Sequence, residues 1–201
     1  MTAMPIRTRT IERKTRETEI TVTVELDGAG SVDVETGVHF LDHMLDALGR
    51  HGQLNLRVRC AGDVEIDPHH SVEDVGIVIG MAVREALGDR AGIARYGHAY
   101  APLDEALART VIDVSGRPYF VFVGDLPEPV IGADFAASLV EEFWRAFATN
   151  AGFTMHIDLL RSRNSHHAAE AIFKSAALAI HAATRVSRST MAIPSTKGVL
   201  A

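Results

Sequence analysis

The sequence predicts an α/β fold, an α+β two-layer sandwich of sheet and helices built from two similar halves. Two observations carry this expectation. Runs alternating apolar with polar residues, the period of a half-buried strand, are followed by runs with apolar residues three and four apart, the period of an amphipathic helix, and the order strands, helix, strand, helix occurs twice. In both halves a His-His-x-x-Glu motif opens the last helix, as His69-His70-Ser71-Val72-Glu73 and as His166-His167-Ala168-Ala169-Glu170.

Taken in order, Ile20, Val22, Val24 and Leu26 alternate as a strand and stop at the turn sequence Asp27-Gly28-Ala29-Gly30, with Thr8 to Thr15 placed to pair beside them. Val38, Leu41, Leu45 and Leu48 describe an amphipathic helix closed by Gly49. Leu54, Leu56, Val58 and Cys60 return to period two, and a second helix runs from His69 to Leu87 between Pro68 and Gly88. Thr110 to Val114 and Tyr119 to Val123 read as two strands joined by Ser115-Gly116-Arg117-Pro118. The series then repeats: a helix over Leu139, Val140, Phe143 and Phe147 ending near Gly152, a strand over Phe153, Met155, Ile157 and Leu159, and a helix from Ser165 to Val186. A constant offset of 99 residues sets Leu54 on Phe153 and His43 on Glu142, and an offset of 97 sets the first His-His-x-x-Glu on the second, the signature of internal duplication. The expected organisation is one domain over residues 1–201, with halves at about 8–94 and 95–190 and a C-terminal tail, 191–201.

Composition bounds the function. A chain of 201 residues with 47% hydrophobic and 23% charged residues buries enough surface to fold without a disulfide or structural metal, so any metal is expected to be functional. The single cysteine, Cys60, and a start without an apolar stretch predict a reducing cytoplasm, and no apolar run approaches the length of a membrane span. The net charge of −6 argues against nucleic acid as a partner, while leaving room for a local phosphate site. Histidine is over-used: ten are present, against eight phenylalanines.

Helix geometry says what the motifs can do. At about 100° per residue, Glu73 falls about 40° from His69, so the two can chelate one ion, whereas His70 lies about 100° away and faces a different one. The same holds for His166, Glu170 and His167. An exchange between halves therefore completes two sites: one ion takes His166, Glu170, His70 and His43, and the other takes His69, Glu73, His167 and Glu142, the counterpart of His43. Imidazole and carboxylate without thiolate, with open positions remaining, suit six-coordinate Mn(II) or Fe(II) better than closed tetrahedral zinc. His39, four residues before His43, is a rival ligand, but its copy is Ser138, which is not one. His98, His156 and His181 read as structural, and His51 as either loop filler or a substrate contact. Ser195-Thr196-Lys197-Gly198 offers amides, hydroxyls and an ammonium for a phosphate. Arg95 and Arg117 are further basic candidates.

Across nearly the whole chain the sequence resembles the imidazoleglycerol-phosphate dehydratases. The resemblance rests on Arg13-Lys14-Thr15-Arg16-Glu17-Thr18, Phe40-Leu41-Asp42-His43-Met44-Leu45, Asp67-Pro68-His69-His70-Ser71-Val72-Glu73-Asp74, Asn164-Ser165-His166-His167 with Glu170, Phe173-Lys174, and Pro194-Ser195-Thr196-Lys197-Gly198-Val199-Leu200. It implies a ribosomal protein S5 domain 2-like fold and a hydro-lyase that converts D-erythro-imidazole glycerol phosphate to imidazole acetol phosphate in histidine biosynthesis, through a metal-bound imidazolate. It also implies two Mn(II) ions per site and a homo-oligomer of trimers assembled to 24 subunits, with metals at subunit interfaces. The metal ligands it implies are His43, His69, His70, Glu73, His166, His167 and Glu170. An eighth, histidine in some members, is Glu142 here. It places catalysis on Glu17, His43, His70 and Glu170, with Glu17 as acid/base, and adds His51, Arg95, Arg117, Lys174, Ser195, Thr196, Lys197 and Gly198 around the substrate. On the motifs alone a dinuclear metal phosphatase is the alternative, and metal storage a third reading.

Overall fold

The computed structural model describes residues 7–186, 192–196, 198 and 200. Its first half comprises β1 (Thr8–Lys14), β2 (Thr18–Glu25), β3 (Val32–Glu35), α1 (His39–Gly52), β4 (Asn55–Gly62) and α2 (Pro68–Leu87). The second comprises β5 (Tyr96–Leu103), β6 (Ala106–Asp113), β7 (Tyr119–Val123), the short pair β8 (Val130–Ile131) and β9 (Phe135–Ala136), then α3 (Leu139–Ala151), β10 (Thr154–Arg161) and α4 (Ser165–Thr184). The sheet orders are equivalent, β1-β2-β4-β3 and β5-β6-β10-β7, and in each the last strand runs parallel to its neighbour while the others are antiparallel.

The repeat is visible element by element: β2 and β6 have eight residues each at an offset of 88, and α2 and α4 have twenty each at 97. Each half is a two-layer unit, with α1 and α2 on the first sheet and α3 and α4 on the second. The halves stack helix to helix, α2 on α3 and α1 on α4, so the four helices lie between the two sheets. The inward faces of both sheets supply the core: Ile20, Val22 and Val24 from β2 and Met155 and Ile157 from β10 are buried. Within the second half Phe143 and Trp144 of α3 pack with Phe173 of α4, ring centroids 4.8–5.1 Å apart, geometry that adds to their area burial. Among the described residues no helix is long and apolar enough to cross a membrane.

One local expectation changes. Gly49 does not end the first helix, which continues to Gly52 and closes at Gln53 in the left-handed region. Gly49 is instead a close-approach position: a Cβ there would lie 2.4 Å from the Val32 side chain, so glycine lets α1 sit down on β3. The two strands expected on either side of Ser115–Pro118 form, as β6 and β7, and β10 enters between them and pairs parallel with β7.

Candidate metal centre

Each His-His-x-x-Glu motif sits at a helix start because the residue two positions before it caps the helix. The Asp67 carboxylate accepts from the His69 amide at 2.9 Å, and the Asn164 side chain accepts from the amides of His166 (2.9 Å) and His167 (3.2 Å). The histidines therefore occupy the first turn and the glutamate the second. His69 Nε2 lies 3.6 Å from Glu73 Oε2, and His166 Nε2 lies 3.1 Å from Glu170 Oε1.

Packing of α1 on α4 brings His43 into the second pair. Its Nε2 is also 3.1 Å from Glu170 Oε1, and the donor atoms of His43, His166 and Glu170 all lie within 4.8 Å of one another. No other such group of three occurs among the described residues. Lys174, one turn further along α4, holds the other Glu170 oxygen at 2.6 Å. Burial pushes the Glu170 carboxyl up, but the hydrogen bonds from Lys174 and His43 and the charge of Lys174 outweigh it and hold the group at about 2. Phe40 walls one side, its ring centroid 6.2 Å from that of His43 and 5.3 Å from that of His166.

The pseudo-equivalent place, between α2 and α3, holds His69, Glu73 and Glu142. The Arg145 guanidinium lies between the two acids, 3.6 Å from Glu73 Oε1 and paired with Glu142. Glu142 thus reaches the first-half pair through Arg145, whereas His43 meets the second-half pair directly.

His70 and His167 turn away from both places. His70 Nδ1 is 3.1 Å from Asp63 Oδ1, with its Nε2 4.0 Å from Glu17 Oε1, and His167 Nδ1 is 2.8 Å from Glu105 Oε2. Both imidazoles are pushed above their ordinary pKa, His70 chiefly by Asp63 and His167 chiefly by Glu105, and the His167 hydrogen bond holds Glu105 at about 2. The exchange of His70 and His167 between halves is therefore not formed inside one chain: α2 packs on α3 and α4 on α1, and the two carboxylates hold the rings elsewhere. Glu17 stands on the β1–β2 turn, which is pinned to α2 where Thr18 Oγ1 and the Arg13 guanidinium each reach Asp74 Oδ2 at 2.6 Å.

The basic candidates gather at the other end of the second half. Arg95 donates to Asp113 at 2.7 and 3.1 Å and to the Pro194 carbonyl at 2.8 Å, which fastens the segment holding Ser195, Thr196 and Gly198 beside it. Lys197 lies outside the described residues. Arg117 is exposed in the turn after β6, and His51 is exposed in the last turn of α1. The Arg95 amide bonds the Ala183 carbonyl near the end of α4, about 25 Å along that helix from His166.

The sequence model of the imidazoleglycerol-phosphate dehydratases matches residues 36–180. The dehydratase of Rhodopseudomonas palustris strain TIE-1 is 52% identical over 97% of this chain and 99% of its own length, and that of Hydrogenovibrio crunogenus is 52% identical over 97% and 100%. The chain belongs to the imidazoleglycerol-phosphate dehydratase family. It is accordingly an enzyme, a hydro-lyase. The family's crystal structures agree in fold: that from Staphylococcus aureus gives a TM-score of 0.81 at 39% identity, covering 90% of this chain and 99% of that one. That from Pyrococcus furiosus, in complex with (S)-C348, gives 0.81 at 34%, covering 94% and 100%.

Set beside the dehydratase motifs, three residues at these places carried no signal in the sequence: Asp63, Glu105 and Arg145. Glu105 was within reach, since the 88-residue offset of β2 and β6 places it on Glu17. Asp63 has no acidic counterpart, as the β4–β10 offset sets it on Ser162.

Proposed function

We propose that this chain dehydrates D-erythro-imidazole glycerol phosphate to imidazole acetol phosphate in L-histidine biosynthesis, using two divalent cations per active site, Mn(II) by preference, in a reducing cytoplasm. The convergence of His43, His166 and Glu170 in a chain of this family carries the reading. The donors fit such an ion: two imidazole Nε2 atoms and one ionised carboxylate oxygen share a partly exposed pocket, with Lys174 occupying only the far oxygen of Glu170. His69, Glu73 and Glu142 form the second set, of harder, oxygen-rich character.

The reaction expels a hydroxyl from the carbon attached to imidazole and removes a hydrogen from the next carbon, which is not adjacent to a carbonyl. Bound cations would supply Lewis acidity that makes the ring N–H more acidic, and the ring that has lost this proton is the better electron source for expelling the hydroxyl. The chain then needs a base on the cation-facing side of the histidines. Glu17, half exposed and 4.0 Å from His70 Nε2, is placed to take the carbon-bound proton, and the resulting enol tautomerises to the ketone. Arg95, Arg117, Lys174, Ser195, Thr196, Lys197 and Gly198 are assigned around the substrate, the basic side chains about its phosphate. Because about 25 Å separates Arg95 from His166 along α4, a small phosphate ester cannot span both within one chain. Copies of the chain, as trimers assembled to 24 subunits with the metals at their interfaces, bring the two ends together.

The test supplies purified chain with imidazole glycerol phosphate and follows products by phosphorus NMR and mass spectrometry. Imidazole acetol phosphate is expected, lost on chelation and restored by Mn(II), and Glu17→Gln is expected to abolish turnover with metal content intact. Release of inorganic phosphate refutes the reading in favour of a phosphatase, and many ions bound per chain without turnover points to storage.

A further inference from the structure

We propose that Glu105 and Asp63 are positioning residues, each bonding the Nδ1–H of one histidine, His167 and His70, so that its Nε2 faces outward with a free lone pair for a divalent cation; this rests on the metal-dependent reading above. A carboxylate only accepts hydrogen bonds, so an imidazole nitrogen against one must be the donor, and the other nitrogen of the neutral ring is then the lone pair. The contacts are 2.8 Å from His167 Nδ1 to Glu105, and 3.1 and 3.2 Å from His70 Nδ1 to the two oxygens of Asp63. His69 and His166 meet their carboxylates, one turn along the same helix, through Nε2 instead. Of the four histidines it is His70 and His167 whose hydrogen-bonded carboxylate lies on the Nδ1 side.

The two acids come from non-equivalent places. Asp63 follows β4 and is held by its amide bonding the Glu17 carbonyl at 3.2 Å, whereas Glu105 stands in the β5–β6 turn and accepts from the Arg163 amide at 3.2 Å. The same service to pseudo-equivalent histidines, performed from different loops, is hard to attribute to coincidence of a single contact. It also explains an asymmetry. Glu105 is the duplicated counterpart of Glu17 and sits behind its histidine on the Nδ1 side. Asp63 performs that task for His70, which leaves Glu17 on the Nε2 side, where the substrate is expected. One of the two duplicated acids orients and the other is free to transfer a proton.

The experiment measures Mn(II) binding to the intact purified chain by the electron paramagnetic resonance signal of free Mn(II), at a pH where imidazole is neutral, with the melting temperature of the chelated protein as a folding control. Glu105→Ala and Asp63→Ala are expected to weaken binding about 10- to 100-fold, and Glu105→Gln, which retains an acceptor, to stay within about threefold of the parent chain. Wild-type affinity in both alanine variants, with His166→Ala losing an ion, overturns the positioning role and leaves the metal reading intact. Glu105→Gln binding as weakly as Glu105→Ala also overturns it. A parent chain that takes up no Mn(II) refutes the metal reading itself. If Glu105→Ala does not fold, Asp63→Ala and Glu105→Gln still decide between these outcomes.

Discussion

The crossing of α2 and α3 offers a perturbation whose sign is decided by two opposing effects. Gly76 lies three residues after Glu73 on α2, and a Cβ built there meets the Phe143 carbonyl oxygen at 2.7 Å and the Ala146 Cβ at 3.2 Å. In an exposed helix, Gly→Ala stabilises by about 1 kcal/mol through helix propensity. Here the contact is short of ordinary packing by more than half an ångström, and its partner is helix backbone that cannot swing aside, so overpacking of about 1–3 kcal/mol opposes the gain. Gly76→Ala is therefore expected to be net destabilising by about 1 kcal/mol, lowering the melting temperature by about 2–4 °C. The strain is relieved by moving α2 away from α3. That movement separates His69 and Glu73 from Glu142, which immediately precedes Phe143, while metal-ligand distances tolerate only about 0.2 Å. The Mn(II) isotherm is expected to lose one class of site by tenfold or more, with the His43, His166 and Glu170 class on α1 and α4 unchanged. A Gly76→Ala chain that melts higher than the parent and binds as the parent does refutes the reasoning.

Further outcomes follow from the same geometry. Glu170→Gln removes the ionised oxygen shared by His43 and His166, and is expected to weaken one class of Mn(II) site by about tenfold or more, at least the effect of losing an outer partner, in the same titration. Arg95→Lys keeps the charge but not the fork that bonds Asp113 and Pro194, and is expected to raise KM about tenfold, the equivalent of one charge-assisted hydrogen bond; an unchanged KM removes Arg95 from the phosphate site. Asp27 is held below its ordinary value, first by its hydrogen bond from Arg7, so its proton binds more tightly in the unfolded chain. Its contribution, about 0.5 kcal/mol after allowance for solvent exposure, is present above the unfolded value near 3.8 and is lost as pH falls through the lower folded one. Urea melts are expected to separate Asp27→Asn from the parent at pH 7 and not at pH 2. Complete chelation is expected to shift the assembly to smaller units on a sizing column, and an unchanged size counts against metals bridging copies.

What was legible in the sequence was whatever depends on neighbours along the chain. Pro68 and Gly88 bracket α2, and Asp67 and Asn164 cap the two motif helices by reaching two and three residues ahead. The chelating angle of His69 with Glu73 follows from the rotation of about 100° per helical residue alone. Gly49 misled because a glycine's meaning as terminator or as close-approach position depends on Val32, seventeen residues away in sequence and against it in space. The separation of β6 from β7 was out of reach for a related reason: the strand between them, β10, arrives more than thirty residues later. Duplication carried more distant information, since it paired His43 with Glu142 before any packing was known. It could not show Arg145 between Glu142 and Glu73, nor the acids behind His70 and His167.

Those missing acids bear on how a duplicated chain comes to have one active arrangement rather than two. Internal symmetry places two chelating pairs, two outward histidines and two turn carboxylates in equivalent positions, and a strict copy has two identical half-sites. Among the many positions at which the halves differ, three lie at these places: Glu142 stands for His43, Asp63 for Ser162, and Lys174 for Ile77. Each change alters which oxygen or nitrogen is free, so the first half leaves Glu17 available beside His70 while the second commits Glu105 behind His167. The cationic groups are divided in the same way, with Arg95 anchored about 25 Å along α4 from the histidine cluster of its own chain. A dehydration that needs a Lewis acid, one base and a phosphate clamp within a small molecule's length is thus beyond either half alone. On the proposed reading, the face bearing Glu17 and His70 on one copy meets the basic end of another, and assembly would complete what the His166 end and the Arg95 end of one chain cannot do together.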